Sequence, residues 1–368
     1  MTRKPLFLVN FMKKKSSSGP EKRFSRILMK WDKDQNKRLM PWKGEKDPYR
    51  IWLSEIILQQ TRVEQGLSYY QNFLRVFPDI KMLAKAPESK VFKQWEGLGY
   101  YSRCRNLIST AKKIANDLNG KFPSTYEDIL ALKGVGPYTA AAISSFAFDL
   151  PHAVVDGNVF RVLARIFGIT IPLDSTKGKK YFTDLANELL DKKNPGRYNQ
   201  AIMDFGAMIC KPAPQCDVCV FQKDCYAFQH DRISQLPVKE KKISIKKRWF
   251  YYFIVEHDNR IAIRQRKEKD IWQDLYEFPL VELNKNASLK TAVASAEKMG
   301  WLHKNKYVIR SVSAIQRQQL SHQLIIGRFI HIVSEEKINV QNIKWISRNS
   351  ISRYAFPQFI NQYLRNME

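Results

Sequence analysis

Acidic residues are scarce in this sequence. Asp and Glu number 35 against 62 Lys and Arg in 368 residues, a formal net charge of +27. The isoelectric point is near 9.8, the signature of a polyanion binder, nucleic acid ahead of an anionic membrane surface. Long apolar runs are also missing: no window approaches the roughly 18 residues of a membrane span. Cysteine is sparse and uneven. Cys104 stands alone, while Cys210, Cys216, Cys219 and Cys225 fall within 16 residues. A secreted disulfide framework would spread its cysteines over a smaller chain, so the cluster points to a metal site. No internal repeat is found.

What is present is enough for two folded domains. Hydrophobic residues make up 44% and aromatics 12%, ordinary for a chain with a real core. Residues 1–23 read as a basic disordered tail, with no small-residue cleavage site after the apolar run Pro5–Met12. Residues 24–230 carry short helical patterns with Gly and Pro punctuation. Among them are Arg50–Glu64, Asn106–Leu118, Tyr138–Phe148, Val159–Gly168 and Tyr198–Met208. Residues 231–248 read as a polar, basic linker. Residues 249–368 change period. Trp249–Val255 and Ile261–Gln265 predict a hairpin, Tyr307–Ile315 and His322–Val333 further strands, and Ser288–Met299 and Tyr354–Arg365 helices, together an α+β domain.

Four groups of residues carry candidate chemistry. The cysteines are spaced C-x5-C-x2-C-x5-C, which suits one [4Fe–4S] cluster or one tetrahedral zinc. Single cysteines flanking one central pair fit the cluster better, and Lys211, Lys223 and Arg232 nearby suggest a loop that faces phosphates. Leu132–Ala140 holds Gly134-Val135-Gly136 between helical stretches. The glycines allow a sharp turn and the next helix offers free N–H groups to a phosphate, a helix-hairpin-helix grip on DNA rather than an ordinary capped turn. Asp156 precedes an amphipathic helix; it is a helix cap, and a cap of this kind keeps a carboxylate ionised. Glu55 sits in Trp52–Thr61, apolar nearly all round. Burial there raises a carboxyl pKa unless an arginine pairs with it. An acid of raised pKa beside an ionised partner is the division of labour of a glycosidase.

With these residues in view, the chain resembles the adenine DNA glycosylases of the MutY, A/G-specific type, in the helix-hairpin-helix glycosylase superfamily. The resemblance covers residues 24–366. It is carried by Met40-Pro41-Trp42-Lys43, Asp47-Pro48-Tyr49-Arg50, Glu55–Thr61, Trp95–Arg103, the glycine hairpin, Val155–Val159 and the four cysteines. It implies an all-α helix-hairpin-helix glycosylase domain with an iron–sulfur loop at 210–225, followed by a Nudix-like α+β domain that recognises 8-oxoguanine. It implies that Glu55 protonates the adenine ring and that Asp156 stabilises the sugar cation. Tyr138 and Asn158 complete that pocket, and Gln200 holds the flipped base. Gln60 and Tyr100 match the wedge into the helix, and Thr61, Leu98 and Gly99 the surroundings of the opposite base. Ser321 and His322 match a hairpin pair that contacts 8-oxoguanine.

The implied partner is double-stranded DNA with adenine opposite 8-oxoguanine or guanine, bound by a monomer in the cytoplasm, at the nucleoid in a bacterium. Tyr138 stands where endonuclease III-like relatives carry a Schiff-base lysine, so a monofunctional enzyme that leaves an abasic site is expected. The chain departs from the family in its first cysteine gap of five residues rather than six, and in Lys43 for the usual arginine, which loses bidentate geometry. Two other classes remain open. One is a non-catalytic iron–sulfur DNA-binding protein. The other is a Nudix hydrolase, against which the sparse acids at 280–300, Glu282 and Glu297, argue.

Overall fold

The computed structural model describes residues 20–240 and 244–366. Of the tail expected at 1–23, residues 1–19 lie outside the described residues. The first helix starts at Pro20, where a proline's fixed φ suits a first turn. The helical domain therefore opens four residues earlier than the sequence pattern suggested. Contacts divide the chain into two compact units. One holds the described residues up to 84 and those between 109 and 241. The other holds 85–108 and those from 242 on. Segment 85–108, expected within the helical domain, thus groups with the C-terminal residues.

The helices run in order α1 (Pro20–Asp34), α2 (Pro48–Leu58), α3 (Val63–Val76), α4 (Ile80–Lys85), α5 (Glu88–Trp95), α6 (Tyr101–Asp117), α7 (Tyr126–Leu130), α8 (Pro137–Phe148), α9 (Gly157–Phe167), α10 (Thr176–Leu189), α11 (Pro195–Met208) and α12 (Tyr226–Gln229). The core of the first unit includes one face of each of several helices, among them Phe24, Leu28 and Trp31 of α1, Val159, Val162 and Ile166 of α9, Phe182 and Leu185 of α10, and Tyr198, Ile202 and Phe205 of α11. Their 3–4 spacing is the reason these stretches fold as helices. Trp31 meets Phe205 edge-on at 5.0 Å.

The helix predicted over Arg50–Glu64 is broken. It stops at Leu58, Gln60 takes a left-handed φ of 56°, and α3 begins at Val63. Two contacts accompany the break. Gln59 Nε2 donates to Thr139 Oγ1 at 3.2 Å, and a Cβ on Gly66 would lie 2.8 Å from Leu58 Cδ2. The chain doubles back closely at this break. The linker expected at 231–248 is also not free over its first ten residues. Leu236 is buried, Leu173 N donates to Val238 O at 3.1 Å, and Glu240 N donates to Asp174 Oδ1 at 3.0 Å.

The second unit is built on a mixed eight-stranded sheet. Its strands are β1 (Lys246–His257), β2 (Arg260–Gln265), β3 (Tyr276–Glu277), β4 (Leu280–Leu283), β5 (Tyr307–Val312), β6 (Gln316–Gln319), β7 (Gln323–Ser334) and β8 (Ile343–Ser347). The order is β3-β2-β1-β7-β5, with β4 on β1, β6 on β7 and β8 on β2. Among the described residues only the β1–β7 pairing is parallel, from Lys246↔Gln323 to Glu256↔Val333. Gly327 permits that pairing, because a Cβ there would sit 2.3 Å from Phe250 O. The predicted hairpin forms through Asp258 and Asn259, with φ of 46° and 57°. Helices α13 (Leu289–Lys298) and α14 (Gln358–Arg365) complete the unit. The second begins after Pro357 rather than at Tyr354. No helix of the described residues is long and apolar enough to cross a membrane.

Candidate active site

Helix α2 delivers Glu55. Asp47 caps it, accepting from Tyr49 N at 2.8 Å, and Pro48 opens it. Eight of its residues are buried, Glu55 among them, as expected of a helix apolar on every side. Loss of solvation pushes the Glu55 carboxyl up from 4.5 to about 7. A hydrogen bond from Tyr138 lowers it, and the nearby Asp156 charge raises it further. The neutral carboxylic acid is thereby available near neutral pH.

Tyr138 is the second residue of α8, just past the glycine turn. Its hydroxyl lies 3.3 Å from Met203 Sδ, and burial beside the two carboxyl groups raises its pKa well above the ordinary value. In the turn, Gly134 has a φ of 82°, which only glycine adopts without strain. Thr110 Oγ1 anchors it by donating to Lys133 O at 2.9 Å. Gly136 is the N-cap of α8 and no side chain caps the helix. A Cβ there would meet nothing within 4 Å. The result is an open helix N-terminus beside exposed Lys133, the geometry of an anion site.

Asp156 caps α9. Its Oδ1 accepts from Val159 N at 2.8 Å and its Oδ2 from Asn158 Nδ2 at 2.8 Å. These bonds and Arg161 lower its pKa, yet burial outweighs them and the carboxyl sits above its ordinary value. The cap alone, therefore, does not set this carboxyl's charge as the sequence reading assumed. Arg161 continues the chain of contacts, with Nη2 on Asn158 Oδ1 at 2.8 Å and Nε on Cys210 O at 2.6 Å.

Glu55 also opens on a cavity of about 510 Å³, which it lines with Trp42, Lys43, Phe146 and Gln200. Tyr138, Asp156 and Asn158 do not line it. Behind the cavity stands Asp204, wholly buried, a residue sequence reasoning missed. Its signal was its place four residues after Gln200, on the same face of α11.

The four predicted metal ligands line one cavity, together with apolar side chains, Gln215, Gln222 and Arg165 and with no carboxylate or imidazole. Burial raises all four thiol pKa values, Cys225 to about 11 and Cys219 to about 12. Arg165, itself buried, holds the proline loop through Lys211 O at 2.7 Å and Pro212 O at 3.0 Å, with Nη1 3.7 Å from Cys210 Sγ. No group of three or more His, Cys, Asp or Glu among the described residues is placed to hold a metal ion.

In the second unit a cavity of about 580 Å³ brings together Leu98, Gly99, Tyr100, Ser321 and His322. The Tyr100 hydroxyl hydrogen-bonds Ser321 Oγ. Leu98 is buried, whereas Tyr100, Ser321 and His322 are exposed. Gly99 takes a φ of 80° and Tyr100 a φ of 47°, and Trp95 Nε1 and Arg103 Nη2 both donate to Gly99 O. Trp272 also lines this cavity, and so does Asp270, which the sequence reading did not single out. Arg248 fastens its walls, bonding Asp270 at 2.8 and 2.7 Å and Gln323 at 3.1 Å. Gln60 and Thr61 belong to the first unit.

Residues 53–189 match the model of the HhH-GPD superfamily base excision DNA repair proteins, and residues 250–366 that of the NUDIX domain. An adenine DNA glycosylase of Buchnera aphidicola subsp. Baizongia pistaciae is 32% identical over 338 residues, 90% of this chain and 88% of that protein. This chain belongs to the adenine DNA glycosylase family. The adenine DNA glycosylase of Rattus norvegicus is 41% identical over 227 residues, 58% of this chain and 44% of its own length. The solved structure of a thermostable thymine-DNA glycosylase aligns with a TM-score of 0.52 at 32% identity, over 57% of this chain and 96% of that one. As a member of the adenine DNA glycosylase family, the chain is an N-glycosylase of base excision repair, with a helix-hairpin-helix glycosylase domain and a C-terminal Nudix domain.

Proposed function

We propose that this enzyme removes adenine mispaired with 8-oxoguanine or guanine and leaves an abasic site. The observation that carries the reading is the Glu55 carboxyl, buried and pushed up to about 7 between Tyr138 and Asp156. The target nucleotide leaves the base stack, since its glycosidic bond is unreachable within it. Glu55 gives its proton to an adenine ring nitrogen. The C1′–N bond then breaks with its electron pair passing to the base, which departs neutral. The positive charge left on the sugar faces Asp156, whose carboxylate is oriented by Val159 N and Asn158 Nδ2. Water adds at C1′ and gives up a proton, closing the balance. Tyr138 offers no amine, so no Schiff base forms and the strand stays intact.

Gln200 is the residue that holds the flipped base. Gly134, Gly136 and the open N-terminus of α8 grip a phosphate. Gln60 and Tyr100 carry the strained backbone of residues pressed into the helix. Leu98, Gly99, Thr61, Ser321 and His322 meet the opposite base. Cys210, Cys216, Cys219 and Cys225 would hold a [4Fe–4S] cluster. Four thiols that line one cavity match the four-cysteine ligand set of such a cluster. Such a cluster would supply structure to the 210–225 loop; excision rests on the protein's own side chains. The enzyme acts as a monomer in the compartment that holds the DNA.

The test is a single-turnover assay on duplexes with adenine opposite 8-oxoguanine, half of each sample treated with alkali, beside Glu55→Gln. Alkali-dependent cleavage at the adenine, abolished by the substitution, is expected. Cleavage without alkali would overturn the monofunctional reading. Tight binding without cleavage would move the weight to a non-catalytic DNA-binding protein.

A further inference from the structure

Asp204 is a carboxylate with no exposure and four donors. Arg38 Nη1 and Gln200 Nε2 reach its Oδ1 at 2.8 and 3.1 Å. Lys43 Nζ and Asn36 Nδ2 reach its Oδ2 at 3.2 and 3.0 Å. Two of these donors, Lys43 and Gln200, line the Glu55 cavity. A carboxylate of this kind accepts and does not donate, so the Gln200 amide can bond it only through its nitrogen. The amide is thereby held in one of its two orientations. Its oxygen is the free end, and no donor of the described residues reaches it.

We infer that Asp204 is a positioning residue that selects a 6-amino purine against a 6-oxo purine. It draws the Lys43 ammonium and the Gln200 NH2 group to itself and leaves the Gln200 carbonyl oxygen facing the base. An amino group at position 6 donates to that oxygen. A keto oxygen at the same position meets a second acceptor and is repelled, so the site rejects as well as attracts. The inference rests on the adenine reading and on Gln200 as its base contact, and adds what orients that contact.

Asp204→Asn removes the constraint. An asparagine offers an amide NH2 of its own, so the Gln200 amide can turn over, and the Lys43 ammonium loses its nearest carboxylate, keeping Asp32 at 4.0 Å. Single-turnover excision would be measured on duplexes identical but for adenine, hypoxanthine or unsubstituted purine at the target. Ratios between bases within one protein do not depend on the active fraction, so a merely structural defect leaves them alone. The adenine-to-hypoxanthine ratio is expected to fall about tenfold, the worth of one hydrogen bond between desolvated partners. Gln200→Leu, half-buried at the cavity wall, keeps the test decisive if the first variant does not fold. It should bring adenine down to the rate of unsubstituted purine. An adenine-to-hypoxanthine ratio unchanged in a folded Asp204→Asn protein, or a preference for adenine retained by Gln200→Leu, would overturn the inference. If the unaltered enzyme excises no adenine at all, the underlying reading fails instead.

Discussion

Replacing Glu55 by glutamine is expected to abolish excision and yet to stabilise the fold at alkaline pH. The carboxyl is buried in α2 and titrates near 7 in the folded chain against 4.5 ordinarily. A folded-state pKa above the unfolded one means the native state binds the proton more tightly. Stability from this group is therefore present below about 4.5 and lost as pH rises through about 7. At about 1.36 kcal/mol for each tenfold step in proton affinity, the loss approaches about 3 kcal/mol once the group is ionised in both states. Glutamine has nearly the same shape and no charge to desolvate. Urea unfolding of both proteins across pH 4–9 should show curves that lie together below about 4.5, diverge mainly between about 4.5 and 7 and run parallel above that, the variant ending more stable. A variant that is equally or less stable at pH 9 would refute burial as the source of the raised pKa. The acid role of Glu55 would then have to rest on the DNA-bound state alone.

Excision by the unaltered enzyme should fall about tenfold per pH step above about 7, as Glu55 loses the proton it donates; a flat profile to pH 9 in single-turnover rates would contradict this. Asp156→Asn keeps the α9 cap but not the charge, so it should melt within a few degrees of the parent while excision drops about 10²–10³-fold. Asp156→Ala should lose about 1 kcal/mol of stability besides, the cost of a missing cap. Glu277 is fully buried between Arg264 and Arg266; Glu277→Leu leaves both guanidinium groups short of a partner and should cost about 3–5 kcal/mol in urea unfolding of the chain. DNA affinity should fall by about 10³–10⁵ between 50 and 200 mM salt if 6–10 phosphates are contacted, read by fluorescence anisotropy.

Much of the chemistry was legible in the chain itself because it depends on local rules. The cysteine spacing, the two glycines of the hairpin and the cap at Asp156 are each set by a few adjacent residues. The burial of Glu55 followed from a helix apolar on every face. The Nudix hairpin followed from alternating residues around Asp258-Asn259. The net charge of +27 requires no fold at all.

Other properties depend on residues far apart in the chain. The pattern over 50–64 is split at Gln59–Arg62, where Gln59 bonds Thr139, a contact that local propensity does not register. Segment 85–108 joined the C-terminal unit, so that Leu98, Gly99 and Tyr100 share a cavity with Ser321 and His322. The pKa of Glu55 is tuned by Tyr138 and Asp156, and the Gln200 amide is oriented by a carboxylate that also holds Asn36, Arg38 and Lys43. Sequence by itself determined which groups could do chemistry. Only the tertiary structure decided their protonation and their direction, because desolvation and hydrogen bonding act through space and not along the chain.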